Sequence, residues 1–138
     1  MRLLRFLLSR VCRFSIERSD MQLKEIQFAD ATPIDGYGPG FFRVGGQPIM
    51  GHALCTRAVA KTWGGYDDVQ PLLDLAQQVD VLFIGTGDEI SHIPTDLRNT
   101  LEQTGLGVEV MNSPAACRTY NILLSEGRRV AAALITTS

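Results

Sequence analysis

Apolar positions along the chain change period partway through. Leu23, Ile26 and Phe28 open a short strand, which the turn-rich stretch Thr32-Pro33-Ile34-Asp35-Gly36-Tyr37-Gly38-Pro39-Gly40 then breaks. Phe41-Phe42-Arg43-Val44 reads as a second strand, and Gly45-Gly46 before Gln47-Pro48 as a hairpin turn. Residues 49–56 continue as a third extended stretch that residues 58–63 extend or bend, so this half is expected to be a small meander. From Val69 onward the spacing of Val69, Leu72, Leu73, Leu75 and Ala76 suits a helix, with Asp67 or Asp68 as N-cap and Pro71 inside the first turn. Val81-Leu82-Phe83-Ile84 is a continuous apolar run, as expected of a strand covered on both faces, and it ends in Gly85-Thr86-Gly87. A second helix is expected over 94–103, stopped by Gly105, and then a strand over 108–111. Ser113 is expected to cap a third helix with Pro114 in its first position and Gly127 at its end; residues 130–135 form the closing strand. Strands alternating with helices predict βαβ units and a mainly parallel sheet in an α/β fold.

Residues 1–20 stand apart. Leu3, Leu4, Leu7, Leu8 and Val11 make one helical stripe, with Arg2, Arg5 and Arg13 opposite. Five arginines against Glu17 and Asp20 give this segment a net charge of +3, whereas residues 21–138 hold 8 basic and 13 acidic groups, net −5. A targeting segment, a membrane-surface anchor and a natural start at Met21 all fit the basic stretch. In each case it lies outside the fold, and residues 21–138 are one domain.

An acidic body with scattered basic residues is a poor partner for a phosphate backbone, so nucleic acid is not an expected ligand. Cys12, Cys55 and Cys117 have no CxxC spacing and are odd in number, which fits a reducing compartment. His52 and His92 form no metal-ligand pattern, so no metal and no cofactor are expected. No apolar run reaches the roughly 18 residues of a membrane span.

Ligands of open α/β sheets gather at the carboxyl ends of the strands. Here those ends are Gly85-Thr86-Gly87 and Asn112-Ser113, the second leading into a helix N-terminus that favours an anion. A dinucleotide loop is excluded, because Ile90 stands where GxGxxG needs its third glycine, and Asp88 and Glu89 bring negative charge. Cys117 beside Arg118 suits either an activated thiol or a packed core cysteine; its neighbours Ala115 and Ala116 favour packing. The polar run Arg118-Thr119-Tyr120-Asn121 on an otherwise apolar helix asks for partners. Either Thr119 and Asn121 bond a neighbouring loop such as Gly85–Gly87, or Arg118 and Asn121 line a small pocket facing it. The candidate pocket is therefore Gly85, Thr86, Gly87, Ser113, Arg118, Thr119 and Asn121, with no catalytic residue among them.

Gly85-Thr86-Gly87, Pro94, Gly107-Val108-Glu109-Val110-Met111, the run from Ala115 to Leu123 and the run from Gly127 to Leu134 resemble one small family of uncharacterised α/β proteins. It is the group that includes mitochondrial respiratory complex I (NADH dehydrogenase) assembly factor 3. Gly36-Tyr37-Gly38 and Trp63 also suit it. The resemblance spans residues 21–138 and implies a three-layer fold: a central mixed, mainly parallel five-stranded sheet, flanking helices and a small β layer. It implies no established catalysis, no cofactor, and partners among respiratory-complex subunits or assembly factors. The expected place is the cytoplasm in a bacterium and the mitochondrion in a eukaryote, with any membrane contact confined to residues 1–20. The alternative is a small-molecule or anion-binding domain, or an enzyme of unrecognised type, using the loops at Gly85–Gly87 and Asn112-Ser113.

Overall fold

The computed structural model describes residues 25–27 and 31–138; the basic segment 1–20 lies outside them. In chain order the elements are β1 (Glu25–Gln27), β2 (Ile34–Gly38), β3 (Phe41–Val44), β4 (Gln47–Met50), β5 (Ala53–Cys55) and β6 (Val59–Thr62). Then follow α1 (Gln70–Leu73), β7 (Val81–Gly85), α2 (Thr95–Glu102), β8 (Gly107–Met111), α3 (Ser113–Ser125) and β9 (Val130–Leu134). The fold is mixed α/β: a central mixed sheet, a three-stranded sheet β2-β3-β4, and helices.

The central sheet runs β1-β6-β5-β9-β7-β8, with the three-residue β1 added at one edge. The β9-β7 and β7-β8 pairs are parallel, as the strand–helix alternation predicts. The β1-β6, β6-β5 and β5-β9 pairs are antiparallel. That antiparallel half comes from the expected meander, which the chain divides between two sheets. The hairpin at Gly45-Gly46 forms, both glycines having positive φ as a two-residue hairpin turn requires. The expected continuous stretch over 49–56 breaks at Gly51, whose φ of +96° turns the chain out of the small sheet. Ala53, Leu54 and Cys55 then pair with β9.

Each face of the central sheet carries a core. On one, α3 and the small sheet bring Cys117, Tyr120, Phe42 and Ile49 against Cys55, Phe83 and Leu134. On the other, α1 and α2 bring Leu72, Leu97 and Leu101 against Leu54, Leu82 and Ile84. Every residue of β9 is buried, and its Ala131, Ala132 and Ala133 keep the middle of the sheet thin where layers press from both sides.

Two expected caps differ. Val69, not Asp67 or Asp68, precedes α1, and no side chain caps it. Asp68 is engaged elsewhere: its carboxylate accepts from Gly64 N–H at 2.9 Å, and its carbonyl accepts from the Trp63 indole at 3.0 Å. Asn112, not Ser113, caps α3. At the far end of α3, Gly127 (φ +80°) donates to Leu124 and Arg128 donates to Leu123, the paired bonds that end a helix at a left-handed glycine.

Candidate functional site

Gly85, Thr86, Gly87 and Ser113 meet at the carboxyl ends of β7 and β8. Ser113 is fully buried, and its hydroxyl joins two segments distant in sequence. The Oγ accepts from Gly87 N–H at 2.9 Å and donates to the Ile135 carbonyl at 2.6 Å. The Ser113 N–H donates back to the Gly87 carbonyl at 2.8 Å. Thr86 does similar work at the surface: its hydroxyl donates to Glu89 O at 2.7 Å and accepts from Ser91 N–H at 3.2 Å, folding residues 86–91 onto themselves. Gly85 is required by closeness. A Cβ there meets Ser113 Oγ at 2.7 Å and Ser113 Cα at 2.8 Å. The start of α3 thus rests directly on the end of β7.

This packing leaves little of the helix N-terminus for an anion. Ser113 N–H bonds Gly87, Pro114 has no N–H, Ala115 N–H bonds the Asn112 side chain at 2.8 Å, and Ala116 N–H bonds Asn112 O. The first-turn donors that normally attract an anion are engaged within the chain.

The rest of the candidate set lies farther along α3 and is not gathered with these four. Asn121 pairs with the backbone of Ile34, accepting its N–H at 2.8 Å and donating to its carbonyl at 2.9 Å. Its partner is the start of β2, not the Gly85–Gly87 turn. The side-chain amide occupies the outer edge of β2 as a neighbouring strand would. Arg118 is exposed on the outer side of the helix, and Thr119 is half-buried.

The cysteines have the surroundings of packed thiols. Cys117 is buried, and burial pushes its thiol up to about 12, against a smaller opposing effect of the Arg118 charge. Burial, then the neighbouring Cys117, pushes Cys55 up as well. Burial likewise raises Tyr120, whose hydroxyl is enclosed without a hydrogen-bond partner among the described residues. A neutral buried thiol is a poor nucleophile.

Other contacts had no signal in the sequence. His52 Nδ1 accepts from Thr136 N–H at 3.1 Å, which places the ring proton on Nε2, and the ring stands edge-on to Trp63 at 6.5 Å. The Asp88 carboxylate receives Ser138 N–H. No local motif links residues 50 or more positions apart. A cavity of about 230 Å³ opens near Leu54, Lys61, Asp74 and Gln78, and none of the candidate residues lines it. Among the described residues no three His, Cys, Asp or Glu side chains gather as a metal site.

The family model described as a protein of unknown function (DUF498/DUF598) matches residues 34–135. An uncharacterised protein of Rhodobacter capsulatus is 50% identical over 115 residues, spanning 83% of this chain and 93% of that protein. The human NADH dehydrogenase [ubiquinone] 1 alpha subcomplex assembly factor 3 is 31% identical over 127 residues, spanning 86% of this chain and 68% of that protein. Among solved structures, a Bartonella henselae protein described as an outer membrane protein matches with a TM-score of 0.72 at 34% identity. That match covers 80% of this chain and 99% of the other.

Proposed function

This chain belongs to the DUF498/DUF598 family of proteins of unknown function, and on that premise we propose that it acts without catalysis, by binding other proteins during assembly of respiratory complex I. One observation carries the reading from the structural side. The polar groups at the strand ends, where an α/β protein normally holds a substrate, are bonded to one another. In this reading the hydroxyls of Ser113 and Thr86 and the side chain of Asn112 serve to close the fold. The likeness to an assembly factor of NADH dehydrogenase supports the same role here.

Its partners in this reading are complex I subunits or other assembly factors, met in the cytoplasm of a bacterium or in the mitochondrion of a eukaryote. No helix among the described residues is long and apolar enough to cross a membrane; in this reading the surface of the domain or residues 1–20 meet the membrane-bound complex. The anion-binding alternative draws no support from the first turn of α3, whose donors are engaged.

The test is affinity purification of the tagged full chain from its own host, with quantitative mass spectrometry of proteins and small molecules. The reading predicts enrichment of complex I subunits or assembly factors. A co-purifying metabolite turned over by the protein, with turnover abolished by Arg118→Ala, would replace the binding role with an enzymatic one.

A further inference from the structure

Among the described residues, the fold closes one exposed sheet edge and leaves another open. Along β2, the Asn121 amide takes both backbone groups of Ile34, the Thr137 hydroxyl donates to Gly38 O, and Pro39 bridges to Thr137. β8 is the last strand of the central sheet. Its ladder with β7 begins with Gly107 N–H donating to Asp80 O and ends with Thr86 N–H donating to Met111 O. In a parallel ladder alternate residues face the same neighbour, so Gly107, Glu109 and Met111 turn their backbone groups toward β7. Val108 and Val110 turn theirs outward, and among the described residues no hydrogen bond reaches them from that side. Between them Glu109 is exposed, with no ion pair among the described residues.

An unpaired edge invites strand addition, and Glu109 selects among the strands that can add. A second copy paired antiparallel through residue 109 would satisfy Val108 and Val110. It would also set Glu109 directly across from its own equivalent, with Cβ atoms about 5 Å apart and like charges opposed. A basic side chain at that position turns repulsion into attraction, and the net −5 of residues 21–138 favours approach of a cationic segment.

We propose that the outer edge of β8 receives an extended segment of a partner protein as an added strand, with a lysine or arginine opposite Glu109. This rests on the protein-binding reading above and names its surface. The partner's backbone would bond Val108 and Val110, and its central cation would fix register.

The test uses the ¹⁵N-labelled full chain and two capped heptapeptides of alternating threonine and valine, one with lysine at its centre and one with glutamate. Each is titrated to about 1 mM, the regime of a weak single-strand contact. The expected result is amide shifts centred on Val108, Glu109 and Val110, with the lysine peptide favoured by up to about fivefold at low salt. Glu109→Lys should reverse the preference. Val110→Pro removes an outward N–H at an edge position that tolerates proline, so it should fold and lose binding of both peptides. Shifts elsewhere, equal response to both peptides, or no response overturns the proposal. So does a wild-type dimer that Val110→Pro dissociates, which would assign the edge to a second copy. If Val110→Pro still captures the complex I proteins that the wild type captures, the binding reading stands without this edge. If the wild type captures none, that reading itself fails.

Discussion

Replacing Ser113 by alanine separates a structural clasp from a ligand-binding group. The hydroxyl is fully buried and makes two bonds, from Gly87 N–H at 2.9 Å and to Ile135 O at 2.6 Å. Its loss strands one buried donor, Gly87 N–H, and one half-buried acceptor, Ile135 O; an unpaired buried group costs about 1–3 kcal/mol, and the half-buried one falls toward the low end. The cavity left by one oxygen atom adds little. The expected destabilisation is about 3 kcal/mol, or roughly 10 °C in Tm for a chain of this size. Guanidinium unfolding reports it through the single tryptophan, Trp63, which is 4% exposed in the native state. The midpoint should fall with the slope unchanged, the pattern of a stability change within one native fold. A second variant sharpens the argument. In Gly85→Ala the new Cβ meets both Ser113 Oγ at 2.7 Å and Ser113 Cα at 2.8 Å. Deleting the hydroxyl relieves only the first clash, so Ser113→Ala should not rescue Gly85→Ala. A Ser113→Ala change below about 0.5 kcal/mol, the ordinary size for an unimportant surface substitution, would refute the clasp.

Asn121→Ala should cost about 2–3 kcal/mol in the same assay, because both backbone groups of Ile34 lose their partner; a cost near zero would mean that water replaces the amide freely. Arg118→Ala, at an exposed site, should stay within about 0.5 kcal/mol of the wild type, and a larger loss would show that its side chain supports the fold. The folded state binds the Cys117 proton more tightly than the unfolded chain does, about 12 against 9.0, so this contribution is complete below pH 9.0 and is lost as pH rises toward 12. Stability should fall by up to about 1.4 kcal/mol per pH unit in that window for this thiol, with Cys55 adding to the same trend. A flat guanidinium midpoint from about pH 9 to pH 11 would contradict the linkage. In a Cys12→Ser background, Cys55 and Cys117 should resist a thiol reagent at neutral pH until the protein unfolds; prompt labelling of the native protein would show an accessible thiolate.

Where each element is set by local pattern, the sequence was readable. The run from Val81 to Ile84 carries no polar residue and is buried from Leu82 onward between the two cores, and the end of α3 at Gly127 follows from glycine's access to positive φ. Partners far apart in the chain were not readable. The sequence marks Gly85, Thr86, Gly87 and Ser113 as a polar group at the strand ends, yet nothing in it shows that Ser113 reaches Ile135. Asn121, on an otherwise apolar helix, stands out in the sequence as a polar residue that asks for a partner. Its partner proved to be the edge of β2, 87 positions away, because α3 lies across that edge. The division of residues 49–56 between two sheets was hidden for a similar reason. Gly51 permits the turn, but pairing with β9, on the far side of the chain, decides it.

In the proposed role the protein serves complex I assembly through binding, and its strand-end polar groups hold the fold. The most direct measurement is the amount of assembled complex I on native gels from a host strain lacking the gene, complemented in turn with the wild type and with Arg118→Ala. The deletion strain should hold less assembled complex, and both versions should restore it fully, since in the proposed role the exposed arginine neither holds the fold nor acts on a substrate. Unchanged complex I in the deletion strain, or recovery by the wild type but not by stably folded Arg118→Ala, would overturn the proposed role.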